Sequence, residues 1–528
     1  MLTFAIVLAL ASPSPSPSTS STPNPLTING YFRSYLFTRQ NASNNPGAQF
    51  NYTPGAKYSS TGVNQVGWEQ AIDLHAEYAL PGGWYIGGAY LYGDPFSGPC
   101  SEAATHIKGN ACVSQRPPNT NPDDTVPDFI LSTFYEGYLG YRTRDFNAKV
   151  GDQVFDSPWA GPADTRIKPE SFQGGDFEYT PKGWTFELAD MLQFQPRSSS
   201  TFISSTLLTS FPAGNRGLAP NIYYAGGGNI TTPGFLYGRI GFAAPSHRYS
   251  IDGYLWSVTD IVNMYWGDAQ YTLAENRWKP YIALQGGLEY NAGASVIGKI
   301  DSSLFGAQIG AHATRDIVVS ASYDELPWHY DNIVLPAGFS CSNSNYQIKI
   351  PTQQSPPKPG NTLAYFLPLS TGQCLTNPSG STTVAYGGWA SPFTDNYANA
   401  PLFTTAISES VADRRAPGTS WRIAANYDSP NRRVNFIIGN SWFDYSNALV
   451  PQTTTEFNLD GTYRFMPVPR AQPYHGLRFR YRYADRRYSN TFCGAVNTSC
   501  PASLAYGASF LGGNPIFKYN RAMLEYDF

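Results

Sequence analysis

The sequence predicts an all-β chain that closes into a transmembrane antiparallel β-barrel of about eighteen strands, and three observations carry that expectation. Charged residues make up only 14% of the 528 positions while aromatics reach 15%, whereas a soluble domain carries roughly 25% charge. The chain holds 49 glycines and 42 prolines, which works against long helices and favours strands and turns. Apolar residues recur at every second position in segment after segment. No run of about 18 apolar residues occurs, so a bundle of membrane helices is excluded. The formal net charge of −3 supplies no basic field for nucleic acid. What remains is a large secreted β protein or a membrane barrel.

Residues 1–11 form a short apolar stretch ending in Ala9-Leu10-Ala11. It resembles the back half of a secretory signal without its basic start, and is read as a signal remnant. Residues 12–25 are a Pro/Ser/Thr/Asn linker with nothing to bury, expected to be disordered. One barrel is expected over 26–528. In the first strand, 26–39, Leu26, Ile28, Phe32 and Leu36 share a face opposite Thr27, Asn29, Arg33 and Arg39. In the second, 66–80, Trp68, Ile72, Leu74, Ala76, Tyr78 and Leu80 alternate with Glu69, Asp73, His75 and Glu77.

The rhythm continues at 84–93, 130–141, 145–152, 172–180, 184–193, 234–243, 248–257, 262–273, 280–290, 303–312, 317–324, 420–427, 433–442, 456–465, 477–485 and 516–528. That makes eighteen, an even number as closure with both ends on one side requires. Short connections at 143–144, 181–183, 246–247, 314–315 and 429–432 are set against long ones at 40–65, 94–129, 194–233, 325–419 and 486–515. Sorting loops by length puts short turns on the periplasmic side and long loops outside. In the last strand Asn520, Ala522, Leu524, Tyr526 and Phe528 alternate with Arg521, Met523, Glu525 and Asp527. A closing strand that ends on Phe resembles the assembly signal of bacterial outer-membrane barrels. That resemblance implies recognition of Phe528 by the barrel-assembly machinery, an integral outer-membrane location, and lipid and lipopolysaccharide as surroundings.

Residues 145–188 contain Val150-Gly151-Asp152, Ser157-Pro158, Asp164-Thr165-Arg166, Pro169, Phe172-Gln173-Gly174 and Trp184-Thr185-Phe186. With Gly298-Lys299-Ile300-Asp301, the stretch from Tyr386 to Phe393, Ala400-Pro401-Leu402 and Ser420-Trp421-Arg422, this pattern resembles the porin D family of outer-membrane channels. The resemblance implies an eighteen-stranded channel with an inward-folded loop, passing small anionic or zwitterionic nutrients. The six cysteines and the length of the 325–419 connection depart from the family pattern.

The sharpest element is Leu477-Arg478-Phe479-Arg480-Tyr481-Arg482-Tyr483. Alternation puts Arg478, Arg480 and Arg482 on one face, about 6–7 Å apart. Guanidinium groups on the lipid face would cost about 2–4 kcal/mol each at the midplane, so they are expected to point inward. A ladder of such groups could pass a carboxylate along the pore, each planar fork binding it bidentately. The same residues could equally be paired with lumen carboxylates, or form the solvated face of a sandwich. Arg33, Arg39 and Arg521 could extend the basic wall, and Glu69, Asp73 and Glu77 are candidates for an acidic side. Segment 153–171 is the candidate constriction, with Asp156, Trp159, Asp164, Arg166 and Lys168 as its chemistry-bearing residues. A surface hairpin loop is the other reading of that segment.

Cys100 with Cys112, Cys341 with Cys374, and Cys493 with Cys500 each fall within one long connection, so local disulfides in outer loops are the simplest pairing. No Cys-x-x-Cys and no His pair at ligand spacing occurs, so no metal or cofactor is expected. The chain lacks G-x-S-x-G, H-E-x-x-H and P-loop motifs. His75 between Asp73 and Glu77 fits a pore lining better than a catalytic base, and His247, His312 and His475 suggest no site. The function expected is a porin for passive diffusion of small polar solutes, with a carboxylate preference, working as a monomer or loose trimer. A secreted carbohydrate-binding or hydrolytic β protein and a barrel enzyme are the alternatives.

Overall fold

The computed structural model describes residues 25–42, 64–95, 130–162, 166–197, 199–209, 229–246, 248–294, 300–327, 389–393, 400–412, 418–444, 453–468, 473–489 and 516–528, together with short strand pieces elsewhere. The calls on 1–24 lie outside these residues.

The staves are β1 (Leu26–Ala42), β2 (Asn64–Ala79), β3 (Trp84–Pro95), β4 (Leu131–Arg142), β5 (Phe146–Gln153), β6 (Ser171–Tyr179), β7 (Trp184–Gln195), β8 (Phe235–Ala243) and β9 (Tyr249–Val258). They continue with β10 (Val262–Thr272), β11 (Tyr281–Asn291), β12 (Asp301–His312), β13 (Ile317–Leu326), β14 (Gly418–Asp428), β15 (Val434–Asp444), β16 (Thr453–Arg464), β17 (Gly476–Ser489) and β18 (Ile516–Asp527). Among the described residues one sheet holds these eighteen staves, with the two-residue piece Thr120–Asn121 alongside β2. Each stave pairs antiparallel with its neighbours in sequence, and β1 pairs with both β2 and β18. Closure leaves no unpaired sheet edge for hydrocarbon to meet. The expected eighteen-strand antiparallel barrel is therefore the observed fold. No helix among the described residues is long and apolar enough to cross a membrane.

Alternation explains which way each residue faces. Ile28, Leu74, Ile86, Leu188, Leu236, Ile240, Leu284, Ile309 and Leu524 stand exposed on the outer wall. Against water such a surface would forfeit about 25 cal/mol per Å²; against lipid it is the favourable face. Around the short-turn rim the rings of Trp84, Tyr141, Phe146 and Phe177 contact in series, as do Tyr179, Phe186, Trp184, Phe242 and Tyr249. This is the aromatic girdle of a membrane interface.

The turns obey local chemistry. Lys182 and Gly183 take φ of 33° and 86°. A Cβ at Gly183 would come 2.6 Å from the Ala243 carbonyl oxygen, so only glycine closes this turn. The sorting of loops by length is not strict: Thr259, Asp260 and Ile261 alone join β9 to β10 on the long-loop side. Asp260 makes that reversal possible, at φ 63° and with its carboxylate taking the Ala294 N–H at 2.8 Å.

The buried core lies inside the barrel, where inward wall residues meet chain that folds into the lumen. Phe155, Trp159 and Ala160 from the β5–β6 connection pack with Trp389, Phe393, Leu402, Ala406, Val411 and Ala412 from the β13–β14 connection. Both rest on a wall of Phe172, Phe194, Phe235, Trp256 and Trp266.

Candidate functional site

Strand parity brings the basic residues into the lumen. Phe479 is exposed outward, while Arg478 and Arg480 are half-buried inside and Arg482 is 4% exposed. The register sets their partners. Asp460 on β16 stands opposite Arg482, and its carboxylate lies 2.6 Å from Arg482 Nε and 2.7 Å from an Arg480 terminal nitrogen. Glu525 on β18 stands opposite both Arg478 and Arg33, and forms an ion pair with each. Arg478 also reaches Asp527 at 3.2 Å. The arginines are thus a paired stack in which Arg478 and Arg480 keep a face toward the lumen. Arg521 is buried, its guanidinium 4.8 Å from the Tyr35 ring. The side chain of Arg39 lies outside the described residues.

Of the residues proposed from sequence for an acidic side, Asp73 and Glu77 are held in local pairs and Glu69 is buried. Asp73 accepts a hydrogen bond from the Tyr135 hydroxyl and pairs with His75, whose Nδ1 is 3.2 Å from Glu136. Glu77 pairs with Arg142 at 3.2 Å at the short-turn rim. Glu69 is fully buried. A different acidic wall faces the stack. Nine staves round an eighteen-stave ring from β17 lies β8, directly across the lumen. Inward positions on the run of staves from β5 to β10 hold Asp176, Glu178, Glu187, Asp252 and Asp268, against Lys149 and Arg239. Arg239 is bonded to Asp252 at 2.8 Å. Alternation within a single strand does not show which stave faces β17, so the opposition of these acids to the stack is not legible in the sequence.

The described parts of the candidate constriction, 154–162 and 166–170, pack inside the barrel. Its residues are placed differently from one another. Trp159 is fully buried, 5.4 Å from the Trp266 ring and 5.2 Å from the Trp389 ring, so it anchors the segment. Arg166 and Lys168 are buried too: the Arg166 carbonyl accepts from Arg33, and Lys168 Nζ donates to Gln195 at 3.1 Å. Asp156 is exposed, and Asp164 lies outside the described residues. Burial pushes the Lys168 ammonium down to about 7, against the opposing pull of Glu170 and Asp73. Tyr31 fixes the returning end, donating to the Ile167 carbonyl at 2.6 Å.

A second inward segment, 389–393 and 400–412, enters the sequence reading only through the family pattern, which gives it no place in the lumen. Here Glu289 accepts the Ala390 N–H, Asp324 the Thr404 N–H, and Glu456 the N–H groups of Ile407 and Ser408. Arg422 and Arg486 donate to the carbonyls of Thr405 and Ser408. The available signal was parity, since each of these wall residues is a charge at an inward position. All six cysteines, with the expected bridges, lie outside the described residues, as does His247. His312 faces inward on β12, and His475 is exposed at a turn.

No protein-family model matches the chain, and no curated protein matches it either. Solved structures do match. OpdK of Pseudomonas aeruginosa, solved with vanillate, aligns with 95% of this chain and 98% of its own at TM-score 0.56 and 12% identity. OpdF of the same organism, in complex with glucuronate, covers 95% of this chain and 96% of its own at TM-score 0.57 and 11% identity. A BenF-like porin from Pseudomonas fluorescens covers 95% and 98%, at TM-score 0.60 and 12% identity. At such identity the likeness is one of fold, and the fold is that of outer-membrane channels.

Proposed function

We propose that the chain is an outer-membrane channel of the porin D type, which lets small polar solutes bearing a carboxylate diffuse passively. The observation that carries this reading is the half-exposed pair Arg478 and Arg480, stacked inside a closed barrel and facing a wall richer in acids. A carboxylate entering this lumen meets guanidinium groups that hold donors in a fixed fork. An ammonium group on the same solute would turn toward Asp252 and Asp268. The paired acids Asp460 and Glu525 lower the net charge of the stack, so a passing carboxylate is held weakly enough to leave, as conduction requires.

The structural relatives support this reading, since vanillate and glucuronate are both carboxylates. A role as a channel rather than an enzyme follows the same relatives. The secreted β protein is set aside because its outer wall would present Leu188, Leu236 and Ile309 to water. Uptake by liposomes holding the purified protein, screened over carboxylates, amines and neutral sugars, tests the proposal. Carboxylates are expected to enter fastest; equal entry of all three classes would refute the preference, and no entry would refute the channel.

A further inference from the structure

The two inward segments carry backbone into the middle of the barrel, where each buried N–H needs an acceptor. Carboxylates on four different staves supply them. Glu136 on β4 accepts the Val154 N–H at 3.0 Å, and Glu289 on β11 accepts that of Ala390 at 2.8 Å. Asp324 on β13 accepts the Thr404 N–H at 2.7 Å. Glu456 on β16 takes Ile407 at 2.8 Å and Ser408 at 3.1 Å, together with the Ser408 hydroxyl. None of the four is more than 8% exposed. The nearest of these contacts in sequence spans 18 residues and the farthest 101, so they are tertiary docking contacts and not turn closures.

We infer that Glu136, Glu289, Asp324 and Glu456 are the positioning residues of the aperture: their carboxylates fix where both inward segments lie, and so set its width and lining. This rests on the channel reading above. The alternative solution, neutral acceptors, would hold the segments less firmly, since hydrogen bonds to an ionised acceptor are roughly twice as strong. Glu456 is the sharpest case. One carboxylate clamps two successive N–H groups, while Arg486 takes the Ser408 carbonyl and pairs with Glu409 at 2.7 Å. Arg422 takes the Thr405 carbonyl and reaches Asn458 at 3.0 Å. The segment is gripped by both of its backbone polarities. It follows that Arg422 and Arg486 hold chain, whereas Arg478 and Arg480 face solute. Glu136 differs from the other three in that its second oxygen lies near His75, which ties the start of segment 154–170 to the Asp73–Tyr135 cluster.

Glu456→Gln tests this, because it keeps the side-chain volume and turns one of two acceptor oxygens into a donor facing N–H or O–H groups. Folding of the variant is checked by heat-modifiable migration in detergent. Hydrogen exchange in 400–412 is expected to speed up severalfold while β14 to β17 keep their protection. Single-channel currents should break into sublevels, and the preference for carboxylates over amines should fall severalfold. Glu456→Asp retains two acceptors and is expected to recover most of the protection and selectivity. If the Gln variant exchanges and conducts as the unaltered protein does, the inference fails and the channel reading stands. If the folded, unaltered protein passes no current, both fail. Should Glu456→Gln not fold, the same exchange measurement on Asp324→Asn, read at Thr404, decides in the same way.

Discussion

Asp460 and Arg482 are register partners on adjacent staves, with Arg482 Nε 2.6 Å from a carboxylate that also binds Arg480. Arg482 and Asp460 are both almost fully buried, whereas Arg480 keeps part of its surface. One acid therefore serves two roles, anchoring Arg482 in the wall and orienting Arg480 toward the lumen.

Removing that acid leaves two guanidinium groups short of their counter-charge. Asp460→Asn is expected to destabilise the barrel by about 3–5 kcal/mol, the cost of breaking a buried pair from one side. In the channels that do fold, anion preference should rise. Urea unfolding from lipid vesicles and the reversal potential check the two parts; a variant unchanged in both would refute the shared-partner account.

Arg480→Ala removes a lumen-facing member of the stack while Asp460 keeps Arg482. Carboxylate uptake is expected to drop several-fold, with neutral sugar uptake nearly unchanged. Equal losses for both solutes would point to a changed aperture instead of a lost binding group.

Lys168 is buried and its ammonium sits at about 7, below its ordinary range, because desolvation penalises the charge. The unfolded chain binds that proton up to its ordinary pKa of about 10.4. Between the two values the unfolded state holds more protons, so this residue makes stability rise with pH from about 7 upward. Lys168→Met should flatten that rise, measurable as denaturation midpoints on either side of the window. An unchanged slope would mean that Lys168 stays charged when folded.

Trp159 joins the two inward segments to the wall through Trp389 and Trp266. Trp159→Ala is expected to cost about 3–5 kcal/mol, as for other buried Trp truncations. Single-channel noise should increase as the segments loosen. Quiet currents at full conductance would show that the aromatic contact does not hold them.

The staves were legible because lipid outside and water inside impose a period of two along every strand. Leu188 and Glu187 differ by one position and face opposite solvents. The inward course of 400–412 was not legible, since Ala400-Pro401-Leu402-Phe403-Thr404-Thr405 carries no period of its own. Its conformation is set by Asp324 and Glu456, distant in sequence, and an inward acid does not announce its partner. Similarly, Arg478 to Arg482 could be placed inward from alternation alone, but their pairing with Asp460 and Glu525 depends on register between staves. Arg166 and Lys168 were legible as charges on an inward segment. Their burial was not, because it depends on Arg33 and Gln195 from other staves.

The most direct test is the zero-current potential of the protein in a planar bilayer separating unequal KCl solutions. A lumen in which Arg478 and Arg480 set the selectivity predicts chloride passing more readily than potassium, with the imbalance reduced in Arg478→Ala/Arg480→Ala. A folded barrel that prefers potassium, or whose potential ignores that double substitution, would contradict the account.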